Sequence, residues 1–177
     1  LQSDLASSLI FDMHSEYGWS GQDTDRGQAV KGLKQVSSSN VAVFSLDPES
    51  SIRRGLSPDL EVQISFDEIE PEDVELLRET LSLSDVAANA AYNLQLRLGH
   101  SNWLQEFLDL DGREAVFAMA ERIGVNPHAL GALYNRLSRL KRFGFLVKAT
   151  QDDSVKRILE HLDRGKHVVL ELSLIHI

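Results

Sequence analysis

The chain has 177 residues, enough for one domain core, and its shares of 42% hydrophobic and 25% charged residues are typical of a globular protein. Its formal net charge at pH 7 is −9, which disfavours contact with a polyanion. It contains no cysteine, which excludes disulfide bonds and thiol catalysis within these residues. No apolar run approaches the roughly 18 residues of a membrane span and no secretory signal is visible, so we expect a cytoplasmic protein without membrane contact.

The charge is distributed unevenly along the chain. Residues 59–79 hold nine acidic residues and one arginine, whereas residues 113–148 hold seven basic residues and two acidic ones. A basic surface attracts a polyanion and an acidic one repels it, so any nucleic-acid contact is expected in the second region. A solvated helix surface is the alternative interpretation of both charge clusters.

The first predicted element is an apolar strand over residues 8–13. Four polar or aromatic residues lie at its end or directly after it, namely Asp12, His14, Glu16 and Tyr17. In an open α/β sheet, ligands bind beyond the carboxyl ends of the strands, so these four residues are candidates for an active site. The alternative is an ordinary strand end, because apolar strands often finish in aspartate.

Two more strands are predicted before the helical part of the chain. Residues 40–46 form a short apolar run. Apolar and polar residues then alternate from Leu60 to Phe66, which is the period-two pattern of a strand with one wet face. We expect the strand from Leu60 to Phe66 to pair with the strand over residues 40–46.

From Pro71 onward the apolar spacing becomes helical. A first helix is predicted to begin at Pro71, a second to run from Ser84 to Gly99, and apolar faces around Trp103 and Val116 mark two more. We interpret these apolar stripes as core residues and not as a ligand site.

A further helix is predicted to begin at Asn126-Pro127 and to run to Phe143. Together with a helix over residues 115–123 and a turn at Gly124 it resembles a helix-turn-helix, and residues 145–148 would open a wing. Four basic residues would then contact DNA: Arg136, Arg139, Lys141 and Arg142. A winged-helix DNA-binding regulator is therefore one of two candidate functions, although many helical domains with such a turn do not touch DNA.

The last predicted elements are a helix capped by Asp152-Asp153 and a buried strand over residues 167–170, separated by Gly165. Glu171 follows the strand and superficially resembles the acidic end of a Walker B strand. Residues 172–177 resemble the translation of a sequencing-library end, so we expect them to be an artefact. The alternative is that they continue the strand.

Two segments carry a resemblance to a known family. Residues 12–17, Asp-Met-His-Ser-Glu-Tyr, resemble the D-x-H-G-E-Y signature that follows the second core strand of HerA-like ATPases, relatives of the FtsK DNA translocases. Ser15 stands where that pattern usually has glycine. Residues 158–171 resemble the helix, Gly turn and strand that re-enter the ATPase core in bacterial members.

This resemblance implies an α/β fold: a partial P-loop NTPase (RecA-like) sheet with an inserted α-helical subdomain. Residues 1–69 would hold core and edge strands, residues 70–150 the inserted helices, and residues 151–171 the helix and strand that return to the core. The motif G-x-x-x-x-G-K-[ST] does not occur in the sequence, so we expect an internal fragment that is inactive by itself and binds no cofactor alone. The resemblance places the true Walker B acid downstream of Glu171.

The function that the resemblance implies is an ATP-hydrolysing DNA translocase or helicase, with ATP and Mg²⁺ as cofactors of the intact protein. Its partners would be double-stranded DNA, five further copies of itself in a homo-hexamer, and a nuclease. Glu16 would polarise the attacking water or order the residue that does so, and Asp12 would bind the metal–water shell or anchor the turn. His14 and Tyr17 would lie near the nucleotide, with a structural role as the alternative for His14 and a subunit boundary for Tyr17. The six histidines show no spacing typical of a zinc site.

Overall fold

The computed structural model describes residues 6–22, 29–150 and 152–172. The strands are β1 (Leu9–Asp12), β2 (Gly21–Gln22), β3 (Ala29–Val30), β4 (Val41–Ser45), β5 (Leu60–Glu61), β6 (Ile64–Ser65), β7 (Leu146–Val147) and β8 (His167–Glu171). The helices are α1 (Leu33–Val36), α2 (Pro48–Arg53), α3 (Pro71–Leu76), α4 (Asp85–Leu98), α5 (Trp103–Leu108), α6 (Gly112–Ile123), α7 (Pro127–Leu137) and α8 (Ser154–Asp163).

The chain divides into two compact units. The described parts of residues 1–63 and 151–177 form the first, and residues 64–150 form the second. We call them the sheet unit and the helical unit. No helix among residues 6–22, 29–150 and 152–172 is long and apolar enough to cross a membrane.

The sheet unit contains a four-stranded parallel sheet in the order β1-β8-β4-β5. Its central strands β4 and β8 are apolar and almost wholly buried, as expected for a parallel sheet that is covered on both faces. The register aligns Asp12 and Ser45 with Glu171, so three polar residues end neighbouring strands in one row. With helices flanking this sheet, the protein has the α/β fold that the sequence predicted.

Different residues cover the two faces of the sheet. Val43 and Val169 lie on one face, where Trp19 and Leu33 pack against them. On the other face the His161 ring of α8 meets the edge of Phe44 at 5.4 Å between ring centroids. The cap predicted for α8 is present, because the Asp153 carboxylate accepts the N–H of Lys156 (2.8 Å).

The helical unit has a separate apolar core. Trp103 is fully buried in it, and the indole N–H of Trp103 donates to the carbonyl of Ile69 (3.0 Å). The side chain of Ser84 accepts the N–H of Ala87 and so caps the start of α4, where the sequence predicted a helix to begin. Six further large and fully buried core residues come from α4, α5 and α7: Leu94, Leu104, Phe107, Leu108, Leu130 and Leu133.

The prediction of a single strand from Leu60 to Phe66 is wrong. Leu60–Glu61 pairs with β4, whereas Ile64–Ser65 pairs with β7 in a different sheet. The break lies at Gln63, whose N–H donates to Ser154 Oγ (3.0 Å) and whose carbonyl accepts from the same hydroxyl (3.1 Å). These bonds occupy the backbone groups that a continuous ladder would use.

The helical unit also begins earlier than residue 70, because Phe66 and Ile69 pack into its core. At residues 145–148, where the sequence predicted the opening of a wing, the structure has the short strand β7, which pairs in parallel with β6. The helix predicted up to Phe143 ends at Leu137 and continues as a 3₁₀ turn. The predicted artefact at residues 172–177 lies outside the described residues except for Leu172, whose N–H donates to the Asp12 carbonyl (2.8 Å).

Candidate active site

Asp12 organises the loop that follows β1. Its side chain is 1% exposed, and its two carboxylate oxygens accept four backbone N–H groups. Oδ1 accepts from His14 (3.3 Å) and Glu16 (3.0 Å), and Oδ2 accepts from Tyr17 (2.9 Å) and Gly18 (3.4 Å). One carboxylate thus provides the acceptor for four N–H groups of a loop that forms no strand pairing within the described residues. Of the two roles considered for Asp12, these contacts support the loop anchor.

Ser15, at the position that is usually glycine in the resembling signature, has φ = 57°. This is the left-handed region, which a residue with a Cβ adopts at a cost. The Ser15 hydroxyl is buried and has no hydrogen-bond partner among the residues that the structure describes. The preference for glycine therefore has a local physical cause, and Ser15 adds strain to the loop without a compensating hydrogen bond.

We expect Ser15→Gly to stabilise the sheet unit by about 1 kcal/mol, because glycine removes the backbone strain and the unpaired hydroxyl. The measurement is urea unfolding followed by Trp19 fluorescence in a Trp103→Phe background, which leaves one tryptophan, in the sheet unit. Ser20→Gly is the matched control, since Ser20 lies in the same segment without a positive φ and should lose stability slightly. Equal effects of the two changes would contradict the strain argument.

The loop after β1 is docked on the start of α1. The N–H of Leu33 donates to the Tyr17 carbonyl (2.8 Å), and the N–H of Lys34 donates to the Gly18 carbonyl (3.2 Å). Gly32 lies so close to Trp19 that an added Cβ would overlap the Trp19 carbonyl group. Backbone–backbone contact of this kind cannot be relieved by turning a side chain.

Gly32→Ala is therefore expected to destabilise the sheet unit by about 2–3 kcal/mol through overlap with the Trp19 backbone. The same Trp19 fluorescence reporter measures this loss in urea. Gly18→Ala is the control in the same loop, because its added Cβ would meet Val43 and Val169 at ordinary distances of 3.6–3.7 Å. A Gly32→Ala protein as stable as the Gly18→Ala protein would show that the loop moves freely at this point.

The loop brings together the other three residues predicted for the site. The side chains of His14, Glu16 and Tyr17 are exposed, Tyr17 by 53%, and none of them makes a side-chain hydrogen bond within residues 6–22, 29–150 and 152–172. The Glu16 carboxylate is thus free to meet a ligand or a water molecule. No group of three or more histidines, aspartates or glutamates among those residues is arranged to hold a metal ion.

A second polar cluster at this edge was missed by the sequence reasoning. Glu171 ends β8 and is 2% exposed, and its Oε2 accepts from the Ser51 hydroxyl (2.6 Å). Its Oε1 accepts from Nη2 of Arg54 (3.2 Å). The only signal in the sequence was a glutamate after an apolar strand; its partners on and just after α2 gave none.

The basic residues predicted to contact DNA lie in the helical unit and do not share one helix face. Arg136 is on α7, whereas Arg139, Lys141 and Arg142 lie in the 3₁₀ turn after it. The Lys141 ammonium donates one hydrogen bond to the carbonyl of Leu108. A DNA contact at these four residues stays a prediction.

The comparisons with known proteins agree with the resemblance seen in the sequence. A family model described as "Helicase HerA, central domain" matches residues 1–177. No significant match was found among curated proteins or among solved structures. Because the family model covers the whole chain, including the loop held by Asp12 and the returning strand β8, the protein belongs to the helicase HerA central-domain family.

Proposed function

We propose that this chain is part of an ATP-hydrolysing DNA translocase of HerA type, which acts on double-stranded DNA in the cytoplasm as a homo-hexamer beside a nuclease. ATP and Mg²⁺ are its proposed cofactors. The observation that carries the proposal is the family match over the whole chain. The arrangement at the carboxyl edge of the parallel sheet supports it, because ligands of open α/β sheets bind there.

The residues at this edge fit distinct roles. Both oxygens of Asp12 are taken by N–H groups, so Asp12 shapes the loop and is not available as a direct ligand of Mg²⁺. Glu16 extends from that loop with an unpaired carboxylate, which suits it to orient an attacking water. Bound ATP would supply the phosphoryl group, and Mg²⁺ bound with it would neutralise part of the negative charge of the phosphates. Tyr17 offers an exposed ring for packing against a nucleotide or a neighbouring subunit.

The sequence contains no phosphate-binding loop of the form G-x-x-x-x-G-K-[ST]. Hydrolysis therefore requires that such a loop be supplied by polypeptide outside these 177 residues. In the proposed enzyme it would hold the phosphates at the same edge of the sheet as Glu16.

The proposal is tested by reading the parent gene beyond both ends of this sequence and assaying the encoded protein. We expect a G-x-x-x-x-G-K-[ST] loop upstream of Leu1 and an apolar strand ending in Asp-Glu downstream of Glu171. The purified protein should hydrolyse ATP faster when double-stranded DNA is added. Flanks without these motifs, or a protein with them that shows no ATPase activity, would overturn the proposal.

A further inference from the structure

Arg54 lies directly after α2, at the carboxyl edge of the sheet, and its side chain keeps 31% of its surface exposed. Its Nε donates to the Ser50 carbonyl (3.3 Å). Its Nη2 donates to Glu171 Oε1 (3.2 Å) and to Ser51 Oγ (3.3 Å). Nη1 makes no hydrogen bond or ion pair in the part of the chain that the structure describes, so two N–H donors of the guanidinium remain available.

The buried carboxylate of Glu171 binds this guanidinium and fixes its position. A buried carboxylate is costly unless it is paired, and Arg54 supplies the only cation bound to Glu171 among residues 6–22, 29–150 and 152–172. Ser51 takes the second oxygen of the carboxylate, at 2.6 Å. Each oxygen of the Glu171 carboxylate thus has a partner on or just after α2, which suits Glu171 to orient Arg54.

The position of this pair in the sheet suggests a ligand. Glu171 ends the strand between β1 and β4, in the row that Asp12 and Ser45 complete, so the Arg54 guanidinium bound to it lies at the carboxyl edge of the sheet. This is the edge beyond which ligands of parallel α/β sheets bind. A guanidinium presents planar, paired donors that match phosphate oxygens, and an orientation fixed beforehand reduces the entropy lost on binding.

We propose that Arg54 binds a phosphoryl oxygen of a nucleotide or polyphosphate at this edge, with Glu171 and Ser51 as positioning residues. The assignment rests on the proposed function for the ligand class, a nucleoside triphosphate. It concerns a group that lies on the chain itself, so it does not need the missing phosphate-binding loop and can be tested by binding alone.

The test is titration of the ¹⁵N-labelled 177-residue protein with tripolyphosphate, followed by two-dimensional NMR. We expect saturable shifts of the Arg54 side-chain Nε–H and of the amides around Ser51. Arg54→Ala should weaken this binding by about tenfold or more, the effect of losing a charge-assisted hydrogen bond. Arg53→Ala is the matched control, because Arg53 is the preceding, exposed arginine and makes no ion pair in the described structure. It should change the affinity less than twofold.

Arg54→Lys is a second variant, because it keeps the charge beside Glu171 if the alanine protein does not fold. A point-charge ammonium cannot bridge the carboxylate and a phosphate as the fork of arginine does, so its affinity should fall between those of the wild type and Arg54→Ala. ATP should bind at the same residues as tripolyphosphate, and adenosine should not.

Equal weakening by Arg53→Ala and Arg54→Ala would show diffuse attraction and overturn the proposal, as would an absence of saturable shifts near Arg54. Because no hydrolysis is measured, this outcome is separate from the ATPase assay. An inactive enzyme with a tripolyphosphate-binding Arg54 would refute the proposed function alone.

Discussion

Replacing Glu16 with glutamine is expected to lower DNA-stimulated ATP hydrolysis by about 10²-fold or more while nucleotide affinity stays unchanged. The assay uses a protein that carries this chain together with a phosphate-binding loop. Glutamine has the same size and stays exposed, so the loop held by Asp12 is not disturbed. The loss comes from the carboxylate charge, which orients and polarises the attacking water in the transition state more than it contributes to binding of ATP.

The matched control is Glu160→Gln on α8, where the carboxylate faces Arg164 at 3.7 Å and not the carboxyl edge. This variant should hydrolyse ATP at the wild-type rate. Turnover is measured at saturating ATP and DNA, and affinity with a fluorescent ATP analogue. Unchanged turnover in Glu16→Gln would remove Glu16 from the mechanism, and parallel losses of turnover and affinity would show that it binds the nucleotide instead.

The largest loss of stability is expected from Asp12→Ala. This change leaves four backbone N–H groups without their acceptor, two of them within 3.0 Å of the carboxylate in the native structure. Hydrogen bonds to a charged acceptor contribute more than neutral ones, and a buried donor left unpaired is costly. Because water can reach the exposed part of the loop, we expect a loss of about 3–5 kcal/mol in the sheet unit and not the full sum of four bonds.

Asp153→Ala provides the comparison, since that aspartate is exposed and, within the described residues, its carboxylate accepts one N–H, that of Lys156 at the start of α8. Loss of such a cap costs about 1 kcal/mol. Urea unfolding with Trp19 as the only tryptophan measures both variants, and the retained Trp103 of a Trp19→Phe background reports the helical unit separately. Similar losses for the two aspartates would mean that the loop after β1 contributes little to stability.

The sequence predicted where several helices of the helical unit begin, because the signals for those starts are local. Ser84 and Asn126 are caps whose side chains bond N–H groups two or three residues later, so the evidence lies within one turn of the chain. The loop at Asp12 is similarly local: every N–H that the carboxylate accepts comes from the next six residues. Its residues could be chosen from the signature, but their hydrogen bonds required the structure.

The features that the sequence did not reveal depend on distant pairing. The alternation of apolar and polar residues from Leu60 to Phe66 is present in the sequence. The strand is nevertheless interrupted at Gln63, because its backbone bonds to Ser154, a residue far away in the sequence. The same holds for Glu171, whose partners Ser51 and Arg54 lie far from it in sequence. Periodicity describes which face of a strand is apolar, and it does not identify the neighbour.

The place of β8 in the sheet has a consequence for the order of folding. Among the described strands of this sheet β8 comes last in the sequence, yet it is the only described strand that pairs with β1, and β4 pairs with it on one side. The pairing of β1 with β8 therefore joins residues far apart in the sequence, and it cannot form until the whole helical unit has been synthesised. The helical unit, built from neighbouring helices, can fold during that interval. A ribosome stalled before His167 should then display a protease-resistant helical unit beside a sheet segment that is still cleaved.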